Sequence, residues 1–96
     1  MSAYCLFDNL TVKDPEKLEM YKSQVLSIVE KYQGKYVVLG GETEVVEGAW
    51  KPTYLVMIEF PSLALAKEWY HSEDYKALKA LRLSATDSSA VIIQGL

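Results

Sequence analysis

The sequence predicts an α+β fold in which helices cover one face of a four-stranded antiparallel sheet. Two features carry that reading. Apolar residues recur at spacings of three and four across 15–32 and again across 62–85, as amphipathic helices require. Runs rich in β-branched and aromatic residues stand before, between and after those regions, at 3–12, 36–47, 54–60 and 90–93.

The first run carries Tyr4, Leu6, Phe7, Leu10 and Val12 and reads as a strand entering a turn. Asp14-Pro15-Glu16 then starts a helix. The carboxylate caps free amides, proline suits a position whose N–H has no partner, and glutamate favours the positive end of the dipole. Leu18, Tyr21, Val25, Ile28, Val29 and Tyr32 form its apolar stripe, and Gly34 is the expected left-handed cap. Residues 36–47 read as one long strand bent at Gly40-Gly41, followed by a loop over 48–52. Tyr54 to Phe60 is a strand that Pro61 ends, and Ser62 caps the second helical region. His71-Ser72 interrupts that region, and Ser72-Glu73-Asp74 starts it afresh. Thr86 to Ser89 reads as a polar turn before a last strand at Ala90 to Ile93. The order β-α-β-β-α-β is the split βαβ, or ferredoxin-like, sandwich over a single domain, residues 1–96.

A sheet with one wet face alternates apolar and polar residues. Tyr54-Leu55-Val56-Met57-Ile58 and Tyr36 to Leu39 do not alternate. Both faces must be hidden, and with helices for only one face the expected cover is a second copy of the sheet. Burying about 600 Å² of apolar sheet per subunit is worth over about ten kcal/mol before association costs. The expected partner is therefore the chain itself, as a homodimer through sheet faces.

Net charge of −3, with no two basic residues adjacent, argues against nucleic acid and anionic membrane as partners. No apolar stretch approaches the roughly 20 residues of a membrane helix, and the first residues lack the pattern of a signal peptide. The single cysteine, Cys5, lies in an apolar setting and fits a reducing compartment, so a cytoplasmic location is expected.

A set of short motifs carries a resemblance. They are Asp14-Pro15-Glu16 with Tyr21, Lys31-Tyr32-Gln33-Gly34, Gly40-Gly41, the run Val46 to Pro52, Ile58-Glu59-Phe60-Pro61-Ser62, the run Trp69 to Tyr75, and Arg82. Their order and spacing resemble the family known as domain of unknown function 1330, nearly end to end. The resemblance implies a dimeric α/β barrel, in which two sheets face each other and each subunit holds a pocket between sheet and helices. It implies no activity. The family often places one arginine before the glycine pair and another after the loop proline, where this chain has Leu39 and Thr53-Tyr54. If those arginines bind an anion, this chain has lost that ability or uses Arg82.

Few residues offer chemistry. His71, the one histidine, is a candidate general base at a helix break, or else a helix-end residue meeting solvent. Glu59 follows a fully apolar run. In a pocket it would be a proton-transfer candidate, and at the strand end it would reach water or pair with a cation. Arg82, the one arginine, would grip a carboxylate ligand or tie down Glu59 or Asp8. The catalytic candidates are thus Glu59 and His71, and the candidate ligand contacts are Tyr21, Trp50, Trp69 and Arg82. Core packing is the default for Trp69 and Tyr21, while the loop residue Trp50 suits a dimer contact or a pocket mouth. One histidine and one distant cysteine make no zinc site, Glu42, Glu44 and Glu47 read as a solvated edge, and no metal or cofactor is expected.

Two functions follow from the resemblance. The first is binding or transforming a small apolar or aromatic molecule between sheet and helices. Relatives of the fold include cofactor-free monooxygenases, lactone isomerases and haem-degrading enzymes. Glu59 or His71 would be the base, Arg82 or a tyrosine hydroxyl would stabilise an oxyanion, and Trp69 would form the wall. The second is a non-catalytic ligand-binding or structural dimer. Sparse titratable groups favour binding over catalysis.

Overall fold

A computed structural model describes residues 1–96. The elements in chain order are β1 (Ala3–Val12), α1 (Pro15–Lys31), β2 (Lys35–Leu39), β3 (Leu55–Phe60), α2 (Leu63–Tyr70), α3 (Glu73–Ala85) and β4 (Thr86–Gln94). The strands form one antiparallel sheet in the order β2-β3-β1-β4. This is the ferredoxin-like arrangement, with the second crossover split into two helices.

The helix starts obey local capping chemistry. Asp14 accepts the amide of Lys17, Ser62 that of Leu65 and Ser72 that of Tyr75. At the end of α1 the roles shift by one residue. Gln33, not Gly34, takes the left-handed conformation, with φ 65°. The amides of Gln33 and Gly34 then close on the carbonyls of Glu30 and Val29. Gly34 is needed for space, since a Cβ there would stand 2.6 Å from Val29 and 2.7 Å from Phe60.

Two strand boundaries differ from the expectation. The long bent strand over 36–47 does not form. Gly40, at φ 62°, turns the chain out of β2 while its amide closes on the carbonyl of Leu55. β2 is an edge strand, so residues 41–46 meet no further strand and stay irregular and exposed. Conversely, Thr86 to Ser89 is not a turn but the start of β4, paired with Val12, Thr11, Asn9 and Asp8. The polar side chains suggest a turn locally, but the far half of β1 supplies a complete ladder.

The core lies between helices and sheet. Ala3, Cys5 and Phe7 of β1 and Ile58 and Phe60 of β3 point into it, against Leu18, Val25, Val29, Ala66, Trp69, Tyr75, Leu78 and Ala85. Trp69 is its centre, fully buried, with ring centroids of Tyr75 at 4.3 Å and Phe60 at 5.5 Å. Burying such a ring contributes several kcal/mol. The alternate residues of the same strands, Tyr4, Leu6, Leu55, Met57, Val91 and Ile93, face the other way, where no helix lies. No helix is long and apolar enough to cross a membrane.

Candidate functional site

Toward the β2 side, where α1 diverges from the sheet, the core opens into a cavity of about 300 Å³. Phe7, Asn9, Val56 and Ile58 form its floor, Leu18, Tyr21, Val25 and Leu26 of α1 its roof, and Tyr36 and Arg82 also face it. Leu39, Tyr54 and Lys22 complete the lining. Leu39 and Tyr54 thus carry apolar bulk to this cavity at positions where the family resemblance suggested arginine. Lys22 stands 5.6 Å from the Tyr54 ring and makes an exposed pair with Glu19 at 3.6 Å.

The polar groups of this cavity are few and joined. Tyr21 and Tyr75 share a hydrogen bond of 2.7 Å between their hydroxyls. The Arg82 Nε–H donates to the Tyr75 hydroxyl at 3.4 Å, and Nη1 donates to Ser88 Oγ at 2.8 Å. The guanidinium also lies 5.0 Å over the Phe7 ring. Ser88 sits directly across from Asn9 in the β1–β4 ladder. Burial, then the neighbouring Tyr75 oxygen, holds the Tyr21 hydroxyl above its ordinary range, and burial does the same for Tyr75. Both hydroxyls are therefore protonated at neutral pH. Burial opposes the charge on Arg82, but the Tyr75 and Tyr21 oxygens outweigh it and the net shift is upward, so the group stays cationic.

The structure distributes the sequence candidates unevenly. Tyr21 and Arg82 come together in the cavity. Trp69 does not wall it: the ring is enclosed by Phe7, Phe60, Tyr70 and Tyr75 in the core, because α2 packs over β1, β3 and β4 rather than over the gap beneath α1. Arg82 ties down neither Glu59 nor Asp8, since both carboxylates lie on the opposite face of the sheet. Glu59 accepts the Tyr4 hydroxyl at 3.2 Å on that open face, and this bond, followed by the carboxylate charge, raises the Tyr4 pKa. His71 caps α2, exposed, with its ring edge-on to Tyr70 at 5.2 Å. Trp50 is more than half exposed and lies over the open face with Leu6, Leu10 and Val91.

Two residues take roles other than those the sequence suggests for them. Asp8 is 4 % exposed, accepts the Trp50 indole N–H at 3.0 Å and the amides of Thr53 and Tyr54, and so fastens the 40–54 loop to the sheet. Asn9 lines the cavity, and its side-chain oxygen is buried without a partner. The only sequence signal was the pair of polar residues inside an otherwise apolar strand. No three His, Cys, Asp or Glu side chains converge to hold a metal ion.

Fold and cavity define a class: ferredoxin-like α+β proteins with a small apolar pocket between sheet and helices. Within that class the chain belongs to the domain of unknown function 1330 family, whose model matches residues 2–96. Solved structures share the fold. The RPA0582 protein of unknown function from Rhodopseudomonas palustris is 20% identical with a TM-score of 0.74, covering 99% of this chain and 82% of its own. A dimeric ferredoxin-like protein of unknown function from Jannaschia sp. CCS1 has a TM-score of 0.70 at 7% identity, covering 99% of this chain and all of its own. SnoaB, a cofactor-independent oxygenase from Streptomyces nogalater, has a TM-score of 0.63 at 11% identity, covering 99% of this chain and 91% of its own. No curated protein matches the chain.

Proposed function

We propose that this protein binds a small apolar or aromatic molecule in the cavity beneath α1, and does so as a homodimer joined through the open faces of two sheets. The observation that carries the binding half is the cavity itself: about 300 Å³, mostly apolar, with few polar groups, those of Tyr21, Arg82, Asn9 and Lys22 among them. Ligand sites have this make-up, an apolar lining with a few fixed polar groups. The homodimer is supported by the open face, where Leu6, Leu55, Met57, Val91 and Ile93 leave an apolar surface on central as well as edge strands. The described dimer among the structural neighbours points the same way.

Transformation of the bound molecule is the second reading, favoured by the likeness in fold to a cofactor-independent oxygenase. Glu59 and His71 remain its candidate bases, at sites outside this cavity. Binding without chemistry is the stronger reading, since no carboxylate or histidine lines the cavity.

Native mass spectrometry of the untagged protein purified from its own host tests both halves. The expected species is a dimer carrying a co-purified small molecule. A monomer sinks the homodimer. A ligand-free protein whose cavity amides shift with neither 2-naphthamide nor 2-naphthoate sinks the binding site.

A further inference from the structure

The polar end of the cavity specifies the charge of its occupant. Arg82 is 3 % exposed, and none of the ion pairs in the chain includes it. Its partners are two neutral hydroxyls and an aromatic face. A buried cation is normally matched by a carboxylate or another anion, because neutral dipoles replace only part of its hydration. The cavity lining contains Arg82 and Lys22 and no acidic residue.

The hydroxyl protons give an independent count. Tyr21 and Tyr75 together carry two hydroxyl protons, and their mutual bond uses one. Tyr75 also accepts from Arg82, and neither hydroxyl donates to any other protein group, so the second proton has no acceptor in the protein. If Tyr75 donates to Tyr21, the free proton is on Tyr21, which lines the cavity. Asn9, 7 % exposed, also lines the cavity, and its side-chain oxygen is buried without a partner. It lies across the ladder from Ser88, the residue that anchors Arg82. A guanidinium and a spare O–H make a donor pair at one end of an apolar chamber.

We propose that the ligand is an amphipathic monoanion: a carboxylate, or a phenolate or enolate of like charge, whose anionic oxygens meet Arg82 and Tyr21 while an aromatic or aliphatic body fills the apolar part of the cavity. Arg82 sets the choice of anion over neutral molecule. This inference rests on the cavity being a ligand site and adds the chemical class of what it takes.

The test compares two probes of matched shape, 2-naphthoate and 2-naphthamide, by calorimetric titration and by NMR of the intact protein at neutral pH. The expected result is at least tenfold tighter binding of the acid, with a shift of the Arg82 Nε–H resonance that the amide does not produce. Arg82→Gln brings the two affinities within about threefold of each other. Arg82→Lys retains a reduced preference for the acid. Should Arg82→Gln not fold, the Nε–H resonance of the unaltered protein still decides the matter. Equal affinity for acid and amide overturns the anion assignment and leaves the cavity as a ligand site. Preference for the acid without movement of the Arg82 resonance overturns the role given to Arg82. Failure of both probes to bind overturns the ligand site itself.

Discussion

The two faces of the sheet carry comparable apolar character and differ in what covers them. On one face Ala3, Cys5, Phe7, Ile58 and Phe60 are sealed beneath three helices and are nearly free of solvent. On the other, Tyr4, Leu6, Leu55 and Met57 are partly covered by their neighbours alone, and Val91 and Ile93 are more than half exposed. The covered face holds the fold together and leaves one gap, the cavity. The uncovered face has little to do with folding the chain and has the composition of an interface. The charged groups follow the same division: Glu59 and Asp8 lie on the open side, Arg82 and Lys22 at the cavity on the closed side. Stability belongs to the covered face, the proposed ligand choice lies there too, and the proposed assembly falls to the other.

The largest effect is expected from breaking the covered face at its centre. Trp69→Ala removes the ring around which Phe60, Tyr70 and Tyr75 pack, and a loss of about 3–5 kcal/mol is expected. Domains of this kind hold only about 5–15 kcal/mol in total, so urea titration should show a protein close to unfolded at room temperature.

A charge on the open face should separate assembly from folding. Leu6 lies on the central strand beside Met57 and Val91. Leu6→Glu is expected to weaken the homodimer by at least a hundredfold, about 2.7 kcal/mol, seen as a monomer by sedimentation. Far-ultraviolet circular dichroism should be unchanged. A dimer that survives would move the interface off this face.

The smallest effect sharpens the covered face by pH. Burial pushes the Cys5 thiol up to about 12, and holds the Tyr21, Tyr36 and Tyr75 hydroxyls above their ordinary range. Each group is an acid whose folded pKa exceeds its unfolded one, so the unfolded chain releases its proton first. The stability these neutral groups supply is complete below the unfolded thiol pKa of about 8.5 and falls as pH rises toward 12. The slope is on the order of 1.4 kcal/mol per pH unit for each group titrating only in the unfolded chain. Melting temperatures at pH 7, 9 and 10.5 should fall in that order. In Cys5→Ala the decline should begin about one and a half pH units later, where tyrosine titrates. A flat profile would mean these side chains are wetter than their burial indicates.

The legible part of this structure is the local part. Asp14, Ser62 and Ser72 announced their helices because a cap is satisfied within three residues of itself. The unbroken apolar run through β3 announced a strand with something to hide on both sides. Tyr21 and Arg82 were singled out, and they meet at the cavity. What misled was also local. The serines of 86–89 resemble a turn until β1 lies beside them, and 41–47 resemble a strand until no neighbour arrives. Trp69 has the spacing of a core residue, and the core is where it stays.

The order of elements, the helix starts and the surplus of apolar sheet can be read from the chain alone, because each depends on neighbours within a few residues or on a period along the chain. Which polar groups share a space emerges only once the strands are paired. Asp8 and Asn9 are adjacent in sequence, yet the alternation of a strand sends one to fasten the Trp50 loop and the other to the cavity. Arg82 and Glu59, a natural ion pair on paper, end on opposite sides of a sheet that neither can cross. The separation of charge that gives the cavity its sign is a consequence of register. Register is fixed by pairing between strands far apart in the chain.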